Sequence, residues 1–410
     1  MAAQKPLTGV RVISMGQVLS GPLCSAFLAD LGANVIKIES PGGDSIRGTS
    51  RELNGEPFSL LYEQYNRNKR SICLDIKEDQ GQEIVYELLE EADVFLQNFG
   101  PGVASRLGVD EETVTAINPD IIYASISGYG DHGPLSSRTS FDGLVQHETG
   151  FASLQGFKGD RPRAARCHVA DYFSGYNAAV SILAALYHRD TADIQNTPGG
   201  QSTNISMFES LIHNTNGLFE LYNNLGEEPE RPERDESRDD IIYGAERTKD
   251  GWVAVAFLIT FPNIWEGFCT LLDREDLLDD PAYETPTDRA QEEVKVEINT
   301  MLRKWLLDHT TDEAVKLLND HRIPAAHHRT ISEVPSMEHV QEHNIFRRFD
   351  HPTFEEIELT DTPLDLSNTP PSIDSPSPLL GEHTEEVLTE HGYSQEKINE
   401  LLDKKIVSQA

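Results

Sequence analysis

Apolar and polar positions along the first 130 residues switch between two periods. Val10–Met15 predicts a strand, Gly16–Pro22 a glycine-bearing loop, and Leu23–Leu31 a helix ended by Gly32. Asn34–Glu39, NVIKIE, predicts the next strand and completes a βαβ unit over residues 9–39. Ser71–Asp75, Val94–Leu96 and Ile121–Ile126 are further strand candidates. Gln80–Glu91 has the period of an amphipathic helix, and Ser127–Pro134 is rich in turn formers. Strands alternating with helices predict an α/β fold with a mostly parallel sheet and right-handed crossovers.

The segment Cys167–Leu186, CHVADYFSGYNAAVSILAAL, reads differently. Ser174, Gly175, Ala178, Ala179 and Ala184, with Ile182, Leu183 and Leu186, predict a buried, tightly packed helix. One acid, Asp171, stands at its mouth. Two readings are open: an N-cap that accepts hydrogen bonds from free backbone amides, or a positioned nucleophile. Beyond it, Gln201–Ile205 predicts a strand and Met207–Asn216 a helix. Gly226–Asp240, GEEPERPERDESRDD, is a charge run with two prolines and reads as a solvated linker. Residues 241–325 have another texture, with a strand at Gly251–Phe257 and helices at Trp265–Leu272 and Val294–Leu307. From about residue 330 the chain is proline-rich and irregular, closing in a charged helix, Ser394–Lys405. No internal repeat is evident.

Composition sharpens this picture. A chain of 410 residues favours two domains. The 69 acidic against 34 basic residues give a net charge of −35, spread along the whole length. Apolar segments recur throughout, which argues against disorder. Such acidity excludes a nucleic-acid partner, which needs a basic footprint, and resembles the surface of a protein from a high-salt cytoplasm. Cys24, Cys73, Cys167 and Cys269 form no CxxC pair and no metal spacing, the pattern of free thiols in a reducing compartment. Neither a signal peptide nor a membrane-length apolar run is present, so a soluble cytoplasmic protein with no membrane partner is expected.

Several chemistries fail at the level of motif. The first βα loop is GQVLSGP, not GxGxxG, which argues against a dinucleotide although Glu39 ends the second strand. His339 and His343 have i,i+4 spacing without the glutamate of HExxH, and no metal site is expected. SISGYG at Ser125–Gly130 is not the GxSxG of a serine hydrolase. Two clusters of cations remain, Asn66–Arg70 and Arg161, Arg163 and Arg166. Each is either an anion site or ordinary ion pairing.

Seven blocks in order carry a resemblance: residues 19–44, 66–77, 97–108, 118–134, 141–150, 170–186 and 378–384. Together they resemble the class III coenzyme A transferases, the family of formyl-CoA transferase and the carnitine CoA-transferases. The resemblance implies a homodimer of interlocked rings. It also implies a Rossmann-like large domain of residues 1–225 and 326–410, and a smaller α+β domain of residues 226–325. It makes Asp171 the nucleophile of an aspartyl-CoA thioester mechanism, ionised by its helix start. CoA-contacting positions would be Leu19 and Ser20 beside the thiol, then Leu74, Asp75, Ile76 and Lys77. Asn98, Phe99, Gly100, Arg106 and Arg138 would follow along the pantetheine and phosphates. The CoA thioester is substrate, with no tightly bound cofactor.

Two positions depart from formyl-CoA transferase: Leu19 replaces a glutamine, and Ser40 replaces an arginine for which Arg47 is the candidate substitute. Arg161, Arg163, Arg166 and His168 precede Asp171 and would pair a distal carboxylate, which points to a small dicarboxylic acid. With the high-salt surface, the pattern looks most like haloarchaeal members that move CoA from succinyl-CoA to mesaconate. Intramolecular mesaconyl-CoA C1–C4 transfer stays open. So does an acyl-CoA racemase with His147 as base, and a CoA-binding protein in which Asp171 is only a cap.

Overall fold

A computed structural model describes residues 4–48, 51–191, 199–215, 217–232 and 242–410. The chain divides into two compact units. One comprises Met1–Gln155, Pro162–Pro229 and Glu342–Ala410; the other comprises Gly156–Arg161 and Glu230–Gln341.

The larger unit is built on seven strands: β1 (Arg11–Ser14), β2 (Asn34–Glu39), β3 (Lys69–Leu74), β4 (Val94–Gln97), β5 (Ile122–Ser127), β6 (Gln201–Ser206) and β7 (Val407–Ser408). Their order is β7-β3-β2-β1-β4-β5-β6. The six strands from β3 to β6 are parallel, and only β7 joins antiparallel, on β3. The order 3-2-1-4-5-6 is that of a doubly wound Rossmann-type sheet, which reverses between β1 and β4. Parallel strands covered on both faces need apolar side chains on both. Ile13, Ile36, Ile72 and Phe95 lie on one face, and Val12, Val35, Val94 and Ile122 on the other. The edges differ. β6 is polar, QSTNIS, and largely exposed; β3 is covered by β7.

Two helices pack together on the Val12 and Val35 face of this sheet. The first, α1 (Ser20–Asp30), is almost wholly buried and comes directly after the loop that ends β1. The second, the long helix at Val169–Asp190, buries Ala170, Ser174, Gly175, Ala178, Ala179, Ile182, Ala185 and Leu186. That face keeps a 3.6-residue period, which selects Ala185 and leaves the expected Ala184 exposed. Gly175 sets how closely the two helices approach. A Cβ there would stand 2.9 Å from the Ser20 carbonyl oxygen and 2.8 Å from Leu23 Cδ2. The small residues read from the sequence therefore serve a helix–helix contact that carries Ser20 towards Asp171.

The Asn66–Arg70 cluster is structural. Arg67 forms a forked ion pair with buried Asp30, at 2.6 Å and 3.2 Å. Lys69 donates to the carbonyls of Pro22 and Tyr65 and to Asn66 Oδ1, and Arg70 pairs with Glu386 and Glu390. Ion pairing and carbonyl capping account for the charges of this cluster.

The smaller unit holds a three-stranded antiparallel sheet, with Trp252–Ala256 between Tyr243–Arg247 and Ala325–His327. Helices Pro262–Leu271, Glu292–Asp308 and Thr311–Asp320 accompany it, around a core of Phe257, Trp265, Phe268, Ile298 and Leu302. The division expected at 325/326 falls inside the Ala325–His327 strand, whose register with Val253–Val255 keeps it in this unit. Of the charged linker read at 226–240, residues 233–240 lie outside the described residues. The stretch after 330 is less irregular than its prolines imply. Phe346–His351 and Glu355–Thr360 form a hairpin, and Thr384–Glu390 a helix.

A candidate active site at the strand ends

A cavity of about 1160 Å³ opens beyond the C-terminal ends of the parallel strands. Met15 and Gln17 line it after β1, Ser40 and Ser45 after β2, and Leu74, Asp75, Ile76 and Lys77 at β3. Gln97, Asn98, Phe99 and Gly100 line it at β4, the serine- and glycine-rich 125–140 stretch at β5, and Met207 after β6. Ligands of doubly wound sheets bind at this end, where the strand order reverses.

Of the positions expected to meet CoA, Ser20, Leu74, Asp75, Ile76, Lys77, Asn98, Phe99, Gly100 and Arg138 line this cavity together with Asp171. Leu19 and Arg106 do not. Leu19 is 1% exposed, its side chain turned into the core, and Arg106 is exposed on the short helix Val103–Arg106. Ser40 lines the cavity, but Arg47 does not replace the missing arginine. It is held by Glu39 at 2.8 Å and 2.7 Å and stacks 3.9 Å over the Tyr62 ring. That pairing also holds the Glu39 carboxyl down to about 2 against the upward push of its burial. Arg163, Arg166 and His168 are exposed and absent from the cavity lining; Arg161 is exposed and falls in the smaller unit. The cations that do line the cavity are Lys77 and Arg138.

Asp171 is not a cap. We label its helix α3 (Val169–Asp190) and the preceding one α2 (Asp142–Glu148). His168 is the N-cap residue, with no side-chain capping bond, and Asp171 is the third helical residue. The free amide of Ala170 is taken by Asp142 Oδ1 at 2.8 Å. Asp142, 7% exposed, also accepts a bond from Gln146 Nε2 at 2.6 Å, while Gln146 Oε1 accepts from the Ala165 amide at 2.7 Å. Thus an acid does cap this helix, but it comes from α2. Sequence reasoning missed Asp142, although it lies in the 141–150 block. An acid opening one helix shortly before a second acid opens the next is the signal that marks it.

The electrostatics of Asp171 reverse another expectation. A helix start favours an ionised carboxylate, yet the Asp171 carboxyl is pushed up to about 6. Burial is the main cause and the nearby Asp142 charge the second. The nearby His168 and the hydroxyl and backbone amide of Ser20 offset this only in part. Two other carboxylates line the cavity and differ. Asp75 accepts from the Lys77 amide at 3.0 Å, and exposed Asp131 is held 2.6 Å from His132. Asp171 combines partial burial with a carboxyl pushed up to about 6, features that mark a reactive carboxylate.

Among the described residues no three His, Cys, Asp or Glu side chains gather as a metal site, and no helix is long and apolar enough to cross a membrane. The family model of CoA-transferase family III matches residues 7–384. The formyl-CoA:oxalate CoA-transferase of Streptomyces avermitilis is 33% identical over 98% of this chain and 100% of its own. That of a Bradyrhizobium species is 32% identical over 97% and 96%. Among solved structures, a CaiB/BaiF family protein of Brucella suis superposes with a TM-score of 0.77 at 27% identity, covering 95% and 100%. Rv3272 of Mycobacterium tuberculosis superposes with a TM-score of 0.80 at 27% identity, covering 93% and 99%. With the fold, the cavity and these matches in agreement over almost the whole chain, the protein belongs to CoA-transferase family III and is a CoA-transferase.

Proposed function

We propose that the protein moves CoA between an acyl-CoA and a small dicarboxylic acid through a covalent intermediate on Asp171. The carrying observation is the placement of Asp171 and Ser20 in the same cavity as Asn98, Lys77 and Arg138. The Asp171 carboxylate attacks the thioester carbonyl, CoA thiolate leaves, and a mixed anhydride forms. The thiolate then attacks the aspartyl carbonyl, which releases the donor acid and leaves an aspartyl-CoA thioester. The acceptor carboxylate attacks that thioester, freeing the thiolate and giving a second anhydride. Attack of the thiolate on the acceptor carbonyl yields the new acyl-CoA and restores Asp171. No proton is gained or lost over the cycle, and the thioester's energy stays on the enzyme. The Ser20 amide and hydroxyl are candidate donors for the oxyanions that develop at the aspartyl carbonyl. CoA enters and leaves as substrate; no tightly held cofactor is required.

We infer succinyl-CoA as donor and mesaconate as acceptor, with cytoplasmic location and a high-salt habitat, from the acidic surface and the overall sequence pattern. The arginines at 161–166 do not support this choice, since none lines the cavity; Lys77 and Arg138 are the cations to test. The pair named for the relatives, formyl-CoA and oxalate, is the second reading, favoured by 33% identity over the full chain. Against it, the position of the formyl-CoA transferase glutamine is occupied by buried Leu19. A homodimer is part of the proposal. Tyr176, Val180 and Tyr187 form an exposed apolar stripe on α3, at 40%, 66% and 72% exposure, which a second copy would cover.

The deciding experiment incubates the purified protein at molar salt with succinyl-CoA and mesaconate, and separately with formyl-CoA and oxalate. Mesaconyl-CoA in the first reaction supports the dicarboxylate reading. Oxalyl-CoA alone moves the assignment to the relatives' pair. A hydroxylamine-sensitive adduct lost in Asp171→Ala establishes the covalent route; deuterium exchange at the α-carbon without such an adduct replaces it with racemisation.

A further inference from the structure

The loop Gly16–Leu19 between β1 and α1 carries two features that each disfavour the native state. Val18, a β-branched residue, sits in the left-handed region at φ +62°. That conformation is natural for glycine and strained for valine. Beside it lies a buried ion pair, Lys37 Nζ to Asp44 Oδ2 at 2.9 Å, with side chains 1% and 0% exposed. Burying both charges is unfavourable unless their remaining bonds are well placed.

Those remaining bonds converge on the strained loop. Lys37 Nζ donates to the Gly16 carbonyl at 2.9 Å, and the Val18 amide donates to both Asp44 oxygens at 3.2 Å. The peptide between them is held by Asn98, which accepts from the Gln17 amide at 2.7 Å and donates to the Gln17 carbonyl at 2.8 Å. Two residues after Val18 comes Ser20, which lines the same cavity as Asp171 and whose hydroxyl accepts from the same Asn98 at 3.1 Å. The direction of the Ser20 amide is set by the torsions that precede it, and Val18 is where the chain turns.

We propose that the Lys37–Asp44 pair is a positioning device that holds the Val18 peptide left-handed and thereby aims the Ser20 donors at the Asp171 acyl centre. The proposal rests on the reading of Asp171 as nucleophile. It makes Lys37 and Asp44 positioning residues: neither charged group needs to touch substrate. Their effect passes through one backbone torsion, so it can be separated from general stability.

The test is a cycle of Asp44→Asn and Val18→Gly, with kcat and KM measured for the same acyl-CoA. Asp44→Asn is expected to lower kcat about 10–100-fold, the range for losing aligned oxyanion donors, with KM changed less than about threefold. Glycine adopts φ +62° without strain. Asp44→Asn/Val18→Gly is therefore expected to recover at least about tenfold of a roughly hundredfold loss. An unchanged kcat in Asp44→Asn, or a loss that Val18→Gly leaves in place, overturns the proposal. If Asp44→Asn does not fold, Val18→Pro replaces it. Proline fixes φ near about −65° and removes the amide, so a folded Val18→Pro enzyme with wild-type kcat overturns the proposal, and a selective loss of kcat supports it. Hydroxylamine trapping in the wild type separates the two levels. No adduct on Asp171 removes the nucleophile reading itself, whereas an adduct without Asp44–Val18 coupling removes only the positioning device.

Discussion

Asp142 and Asp171 sit on different helices and act on the same one: Asp142 accepts the Ala170 amide of α3 at 2.8 Å, and its charge helps raise the pKa of Asp171 one residue further on. One acid caps the helix start, and the other lines the cavity.

Activity should fall in acid. With its carboxyl at about 6, Asp171 is half protonated there, and the nucleophilic form is lost as pH falls. The profile of kcat/KM for acyl-CoA is expected to fall about tenfold per unit below about pH 6. A flat profile down to about pH 5 contradicts the assignment.

Stability should run the opposite way. The unfolded value of Asp171 is near 3.8, below the native one, so between these values the native state binds more protons. Stability contributed at this site is therefore present at low pH and lost as pH rises from about 4 to 6. Asp171→Asn is expected to abolish turnover yet raise stability at about pH 7.5 by about 1–3 kcal/mol, read from urea midpoints. A destabilised variant contradicts this.

Asp142→Asn keeps an oxygen for the Ala170 amide and removes the charge. The acidic limb of the profile is expected to move down by about half a unit to one unit. A limb that stays in place means that burial alone sets the Asp171 pKa.

Gly175→Ala inserts a methyl group where the Ser20 carbonyl stands 2.9 Å away. The expected loss is about 1–3 kcal/mol in stability, with turnover reduced because Ser20 moves relative to Asp171. Unfolding curves and turnover measured together check both halves.

Asp30→Ala leaves the Arg67 guanidinium, 2% exposed, without its counter-charge. A loss of about 3–5 kcal/mol is expected, far above the change from removing exposed Glu386. Similar small effects for the two variants would contradict the buried-pair account.

The parallel sheet was legible in the sequence because its strands are short apolar runs such as NVIKIE, bounded by glycine and acids. Val407–Ser408 was not, since a two-residue strand has no period of its own and is recruited only by the open edge of β3. Of the candidate site, Asp171, Ser20 and Asn98 could be named from blocks with a recognisable spacing, and one cavity holds all three. Asp142 escaped notice because an acid at a helix start reads as surface decoration until α3 is known to begin against it. The arginines at 161–166 misled for the converse reason. Closeness in sequence to Asp171 says nothing about direction, and the chain turns them outward before α3 begins.

The pairing of Val407 with Leu74 has a bearing on biosynthesis. Leu74 is part of the cavity wall, and the neighbouring Cys73 amide is capped by the Thr384 hydroxyl, 311 positions downstream. Val387, Leu388, Ile398 and Leu401 cover the same face of the sheet as Ile72 and Leu74. A nascent chain that has emitted every other strand of the parallel sheet thus still lacks the cover for this wall. Until that segment pairs, β3 presents an open strand edge, the feature by which a sheet joins other chains.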